Sequence, residues 1–264
     1  MRALNAARVA SGLIALLLLA VSAQAADSDL QHVLAPSGKL RAALYPGTPT
    51  SILDAKEAEP RGVGYELGRA LAAKLGVPYE PVIYPKNNDV LEAVKSGEAD
   101  VAFTNASPAR QKEMDFGPAY LLIELGYLVP AGSPVKTSAD VDQKGLKIGV
   151  TANSTSDATL SRTLKNAEVV RAPTVGAGAE MLAAGKIAAF ATNKATLFEM
   201  AEKVPGAHVL SDRWGEERHA IARPHGREQG DAFIKAFTEE ALSSGLVKSA
   251  MDRAGLKGAI PATP

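Results

Sequence analysis

The sequence predicts an α/β fold made of two lobes, each a mostly parallel sheet flanked by helices, joined by two extended connecting segments. Strand and helix signals alternate in a β-α-β-α-β order over the first half of the chain, and the same order recurs in the second half. The chain would pass between the halves at two places, and an extended apolar run lies at the first of them. Two similar halves and two crossings indicate two lobes joined by a hinge.

The composition excludes several functional classes. Basic and acidic residues are equal at 29 each, so no basic field indicates nucleic acid as a partner. Cysteine is absent, which removes disulfides, thiolate metal sites and cysteine nucleophiles. The four histidines are scattered without metal-ligand spacing, so neither a zinc site nor another cofactor is expected.

The N-terminus has the pattern of a cleaved signal peptide over residues 1–25. Arg2 and Arg8 precede a continuous apolar run at 13–21, and the small residues at 23–25 form a cleavage pattern. A retained membrane anchor is the alternative, although the run is short for crossing a bilayer. No cysteine follows the run, so a lipid-anchored form is not expected. The mature protein is predicted to be exported and soluble.

The first half contains three predicted strands and two predicted helices. Leu67, Leu71 and Leu75 recur at four-residue spacing in the first helix, and Gly76 and Pro78 end it. Pro81 favours an edge position for the second strand. The predicted strands are residues 39–44, 79–84 and 100–103, and the predicted helices are residues 64–75 and 88–95.

The second half repeats this order and adds one helix and one strand. Its predicted strands are residues 147–150, 168–171, 187–191 and 208–210, and its predicted helices are residues 154–164, 175–184 and 194–203.

Two segments are predicted to cross between the lobes, residues 120–129 and 219–223, followed by closing helices at 229–242 and 246–254. Lobe 1 would then comprise residues 26–124 and 222–264, and lobe 2 residues 125–221. Open α/β sheets bind ligands at the carboxyl ends of their strands, so a cleft is expected there.

Arg110 is the main candidate site residue. Ser107 is a suitable N-cap and Pro108 suits the first position of a short helix, so Arg110 would project from its first turn. A cation is unfavourable at this positive helix end unless an anion lies nearby. A guanidinium can hold both oxygens of a small carboxylate, whereas a solvated surface arginine is the alternative.

Several motifs in order resemble the family-3 periplasmic solute-binding proteins, which deliver amino acids and related molecules to membrane importers. They are Gly38-Lys-Leu-Arg41, residues 61–76, residues 91–101, Ser107-Pro-Ala-Arg110 with Asp115-Phe116, the segment 128–134, residues 148–155, and Gly185-Lys-Ile187. The resemblance covers residues 30–255. It implies the two-lobed periplasmic-binding-protein fold of type II.

The resemblance also implies roles for individual residues. Arg110 would pair with the ligand's carboxylate, and Thr104 and Asn105 would contact the ligand from lobe 1. From lobe 2, residues Asn153, Ser154 and Thr155 would close on the same carboxylate, as a helix start rich in N–H donors can. An ordinary N-cap cluster is the alternative for these three residues.

The sequence departs from the family pattern at two positions. Many members carry an aspartate for the ligand's ammonium group where this chain has Asn193, and an amide cannot neutralise a cation. The aromatic residue expected after the first strand is missing, and Tyr45 would fill part of its role.

Glu124 lies inside the apolar crossing segment, where an unpaired buried carboxylate would be costly. It would either meet a cationic group of the ligand or pair with a lysine or arginine at the hinge.

These observations predict a periplasmic protein, monomeric and not an enzyme, that binds a small carboxylate or zwitterion and presents it to an ABC transporter permease. The alternative is a cyclohexadienyl or arogenate dehydratase on the same scaffold, which would need a carboxylic acid in the cleft as proton donor. Asn193 cannot serve as that acid, which leaves Glu124 as the substitute.

Overall fold

The computed structural model describes residues 29–263, in which strands and helices alternate as predicted. The predicted leader lies outside the described residues. The strands are β1 (Leu40–Leu44), β2 (Tyr79–Ile83), β3 (Val101–Asn105), β4 (Asp115–Val129), β5 (Lys147–Thr151), β6 (Glu168–Ala172), β7 (Ala189–Asn193), β8 (His208–Val209), β9 (Gly215–Arg223) and β10 (Ala259–Pro261). The helices are α1 (29–34), α2 (Val63–Leu75), α3 (Asn87–Lys95), α4 (Thr155–Thr163), α5 (Val175–Ala183), α6 (Lys194–Lys203), α7 (Asp231–Ser243) and α8 (Leu246–Arg253).

The strands form a mixed sheet in the order β2-β1-β3-β9-β4-β7-β5-β6, with β8 and β10 paired to β4. β1 is parallel to β2 and β3, and β5 is parallel to β6 and β7. The antiparallel strands β9 and β4 lie between these two parallel groups. This arrangement confirms a two-lobed α/β fold with two connecting strands, and β2 is an edge strand, as Pro81 suggested.

Each parallel group has apolar cores on both faces. In the first, Leu67 and Leu71 of α2 pack with α7 and α8 on one face, and Val94 of α3 packs on the other. In the second, Leu160 of α4 belongs to one cluster and Leu182 of α5 to the other. The helices therefore form where their apolar stripes can cover the two faces of a sheet.

The connecting strand β4 is longer than the predicted crossing segment. It pairs with β9 from Asp115 to Leu125 and with β7 from Leu125 to Leu128. β9 begins at Gly215 and pairs with β3 and β4. The limits of the two lobes stay a prediction.

Several local features differ from the prediction, and one is helix α1, which the sequence did not indicate. The segment after Pro108 contains only a 3-10 turn, Arg110–Lys112, because β4 begins three residues later and leaves no length for a helix. The short strand β10 follows α8 and was not predicted, since three residues carry no periodic signal. No helix within residues 29–263 is long and apolar enough to cross a membrane.

Candidate functional site

A polar cavity lies between the lobes, at the carboxyl ends of the parallel strands. β1, β3, β5 and β7 end there, and their last residues or the residues that follow line it, namely Tyr45, Asn105, Thr151 and Asn193. Hydroxyl groups dominate the remaining polar lining, from Thr48, Thr50, Ser51, Thr104, Ser154, Thr155, Thr192 and Thr196. Parallel strands end at the same edge of a sheet, so the fold collects these residues from distant parts of the sequence.

Arg110 lines this cavity from the turn that follows β3. Its Nη1 donates to Thr104 Oγ1 at 2.6 Å and to the carbonyl of Asn105 at 3.4 Å. Within the described residues, its Nε and Nη2 have no hydrogen-bond acceptor and no carboxylate forms an ion pair with it. Burial lowers the pKa of Arg110, and the charge of Glu217 opposes that effect. The guanidinium thus has free donors in a desolvated position, where an anion would be held strongly.

The start of α4 faces Arg110 from the second lobe. Ser154 is the N-cap, and its Oγ accepts the N–H of Asp157 at 3.1 Å. Thr155 Oγ1 accepts a hydrogen bond of 3.0 Å from Asn105 Nδ2, which joins the two lobes across the cavity. Ser154 and Thr155, two of the residues selected from the sequence, both line the cavity.

Asn153 lies beside the cavity rather than in its lining. Its backbone is left-handed, with φ of 59°, and its carbonyl accepts a second interlobe hydrogen bond from Asn87 Nδ2 at 3.4 Å. The side chain borders a neighbouring groove with Asp157 and Arg171.

Tyr45 forms a third interlobe contact. Its hydroxyl oxygen accepts the N–H of Val175, the first residue of α5, at 3.2 Å. Burial raises the pKa of Tyr45, partly offset by this hydrogen bond. The three contacts together hold the lobes in a closed arrangement.

Glu217 and His219 of β9 also line the cavity, although the sequence analysis did not select them. Glu217 Oε2 lies 2.9 Å from His219 Nε2 and accepts a hydrogen bond of 3.3 Å from Asn193 Nδ2. Burial favours the protonated acid, but His219, Arg110 and Asn193 outweigh it and lower the pKa of Glu217. The site therefore contains a carboxylate as well as a guanidinium.

Glu217 could have been found from the alternation of β9. Residues 217 and 219 are buried, whereas the intervening Arg218 is exposed. Two polar residues spaced by two in a crossing strand indicate a polar inward face. Only the neighbouring strands, however, show that this face meets the cavity.

Glu124 is only partly buried within its apolar segment. Its side chain is 42% exposed, because strand alternation turns it to the opposite face from Ile123 and Leu125. Its carboxylate lies 2.7 Å from Lys194 Nζ, and Glu124 is not part of the cavity lining. The contact is the hinge ion pair given above as one of its two alternatives.

Two buried polar atoms of cavity-lining residues have no partner. Thr151 Oγ1 and His219 Nδ1 lack a hydrogen-bond partner among the described residues. Buried polar groups are nearly always paired, so such atoms at a cavity indicate a missing partner. Within residues 29–263, no group of three histidines or acids could hold a metal ion.

The fold and the cavity together define a two-lobed α/β protein with a cavity between its lobes. The chain belongs to the bacterial extracellular solute-binding proteins, family 3, whose model matches residues 40–247. No curated protein sequence matches it significantly.

Solved structures share the fold. A solute receptor for L-cysteine of Neisseria gonorrhoeae aligns with a TM-score of 0.75 and 22% identity over 83% of this chain and 90% of its own. An amino-acid ABC transporter substrate-binding protein of Streptococcus pneumoniae, bound to L-arginine, aligns with a TM-score of 0.75 and 22% identity. The alignment covers 84% of this chain and 97% of that protein. An ancestral amino-acid-binding protein, described as a precursor of cyclohexadienyl dehydratase, aligns with a TM-score of 0.73 and 20% identity. The alignment covers 85% of this chain and 98% of that protein.

Proposed function

We propose that this protein is a periplasmic solute-binding protein that encloses a small amino acid or related carboxylate between its lobes and delivers it to an ABC importer. The observation that carries the proposal is Arg110, which lines the interlobe cavity with Nε and Nη2 unpaired within residues 29–263. The family and the amino acids named for similar structures support the same ligand class.

A carboxylate suits the groups around Arg110. A guanidinium can bind both oxygens through parallel hydrogen bonds, which are stronger than bonds between neutral groups. Ser154 and Thr155 supply hydroxyls, and Thr155 also a backbone N–H, at the start of α4, where the helix dipole favours negative charge. The ligand would thus be held by both lobes, as predicted from the sequence.

A ligand that contacts both lobes binds the closed form more tightly than the open form. A ligand shifts a conformational equilibrium only by its difference in affinity for the two states. Arg110 lies after β3, and Ser154 lies before α4, so contact with both requires closure. We place lobe 1 at residues 26–124 and 222–264 and lobe 2 at residues 125–221. The closed form, a monomer, would be the one presented to the permease.

Arg110→Lys tests the proposed carboxylate site. Lysine keeps the charge but loses the planar fork, so we expect ligand affinity to fall about 10- to 100-fold, and further in Arg110→Ala. The measurement is a thermal-shift screen of the mature protein against amino acids and small organic acids, followed by calorimetry with the compounds that stabilise it.

Arg218→Lys is the matched control, because its side chain is 67% exposed and not part of the cavity lining. Unchanged binding in Arg110→Lys and Arg110→Ala would place the carboxylate elsewhere and overturn the assignment.

A dehydratase is the second candidate, and the pair of Glu217 and His219 favours it, because a carboxylate and an imidazole can move protons inside the cavity. One of the similar structures is described as a precursor of cyclohexadienyl dehydratase, which also supports this candidate. Against it, His219, Arg110 and Asn193 lower the pKa of Glu217, which disfavours the protonated form that a proton donor needs. We expect no turnover of prephenate or arogenate. Turnover by the wild type that is lost in Glu217→Gln would establish the enzyme instead.

A further inference from the structure

We propose that Glu217 binds the cationic group of the solute, so that the site takes a small zwitterion between Arg110 and Glu217. This inference rests on the proposed function and specifies its ligand class. It assigns the cation-binding carboxylate to a connecting strand, β9, rather than to the end of β7, where Asn193 stands.

The free oxygen of Glu217 is the first observation. Both hydrogen bonds to its carboxylate, from His219 and from Asn193, involve Oε2. Oε1 has no partner among residues 29–263, although the residue is only 7% exposed and lines the cavity. This oxygen is therefore free to accept a hydrogen bond from a donor group bound in the cavity. An ammonium group supplies such a donor together with the opposite charge.

The relation of Glu217 to Arg110 is the second observation. No ion pair joins them within 4.0 Å in the described part of the chain, yet each shifts the pKa of the other through its charge. Two opposite charges therefore share one small cavity without touching. A zwitterion fits this arrangement, because its carboxylate can face Arg110 while its ammonium group faces Glu217.

Asn193 positions Glu217 rather than taking the ammonium group itself. Its Oδ1 accepts the N–H of Thr196 at 3.0 Å as the N-cap of α6, and its Nδ2 donates to Glu217. An aspartate here would place two carboxylates side by side, which is unfavourable. An amide at position 193 therefore suits an acid at position 217, because it donates a hydrogen bond to the carboxylate without adding a second negative charge.

The size of the cavity limits the solute. The cavity has a volume of about 80 Å³, which is small for a ligand pocket. The site therefore favours a small solute over a large one. The many threonine hydroxyls of the lining suit a small or polar side chain.

The test compares matched probes by calorimetry on the mature protein. Glycine, L-alanine and L-serine carry an ammonium group, whereas acetate, propionate and L-lactate lack it. We expect the best small amino acid to bind at least tenfold more tightly than its matched acid, and L-arginine and L-phenylalanine to bind weakly. This comparison needs only the wild type. Equal or tighter binding of the acids would overturn the role of Glu217, and tight binding of the large amino acids would overturn the size limit.

Glu217→Gln then tests whether Glu217 causes the preference for amino acids over their matched acids. Glutamine keeps the shape but removes the charge, so we expect amino-acid affinity to fall about 10- to 100-fold while acid affinity stays the same or rises. Glu216→Gln is the matched control, since it makes the same change on the neighbouring, outward-facing residue. Amino-acid binding by Glu217→Gln at wild-type strength would refute the inference and leave the Arg110 site standing. A wild type that binds no carboxylate at all would overturn the proposed function as well.

Discussion

His225 shows how a single residue can make the stability of this protein depend on pH. Its Nδ1 lies 2.8 Å from Asp115 Oδ1, a contact between the loop after β9 and the start of β4. The hydrogen bond to Asp115, with a further one to the carbonyl of Lys112, raises the pKa of His225 above its usual value of 6.5. The protonated form is therefore the stabilising one.

His225→Gln should remove this contribution. A group whose pKa is higher in the folded state stabilises the protein at pH values below its unfolded-state pKa. This stabilisation is lost as the pH rises through the folded-state pKa. We expect the wild type to unfold at a higher temperature than His225→Gln near pH 5, with the difference vanishing by about pH 8. The side chain is 50% exposed, so added salt should reduce the difference. Thermal melts across this range are the measurement, and a gap that grows with pH would contradict the assignment.

The two glutamates of the connecting strands show the limit of residue-level reasoning. For Glu124, an acid in an apolar run left a ligand contact and a hinge ion pair as alternatives, and alternation along β4 turns it towards Lys194 and solvent. Glu217 lies in a more polar stretch and is the buried one. Which face of a strand is buried depends on what packs against it, and the sequence does not state that.

At the scale of elements, three helices of the second lobe begin with the same capping geometry. Ser154, Thr174 and Asn193 each accept the N–H of the residue three positions later, at 3.0–3.1 Å. These bonds satisfy N–H groups that a helix start otherwise leaves unpaired. Such caps, with the spacing of apolar residues, explain why the helices were predicted within a few residues of their observed limits.

Thr174→Ala isolates the value of one cap. Removing the hydroxyl that caps α5 should destabilise the protein by about 1 kcal/mol, or roughly 2–4 °C in unfolding temperature. Thr163→Ala is the control, because that exposed hydroxyl only donates back to the carbonyl of Thr159 within α4. Thermal melts without ligand measure both variants. Equal effects of the two substitutions would mean that the cap contributes little.

At the scale of the whole molecule, closure depends on a few polar contacts between the lobes. Tyr45 with Val175, Asn105 with Thr155, and Asn87 with Asn153 bridge the cavity or its rim. Polar contacts of this kind exchange readily with water. Such contacts suit two lobes that must separate as well as close.

Tyr45→Phe should shift this balance. The variant keeps the ring but leaves the N–H of Val175 without its acceptor in the closed form, which costs about 0.5–1.5 kcal/mol. We expect roughly two- to tenfold weaker ligand binding, mostly through faster dissociation, measured by stopped-flow kinetics. Tyr84→Phe is the control, because that hydroxyl donates to Glu98, away from the cavity. Unchanged dissociation in Tyr45→Phe would show that this contact does not hold the lobes together.

The sequence by itself determined the order of most strands and helices, the two-lobed plan and the place of Arg110 after β3. Helix periodicity, N-caps and apolar runs are local properties, so they can be read along the chain. Tertiary structure decided that Glu217 and His219 face the cavity, that Glu124 pairs with Lys194, and that Asn193 supports a carboxylate. These outcomes depend on strand pairing and on which face each strand presents, and residues far apart in the sequence set both.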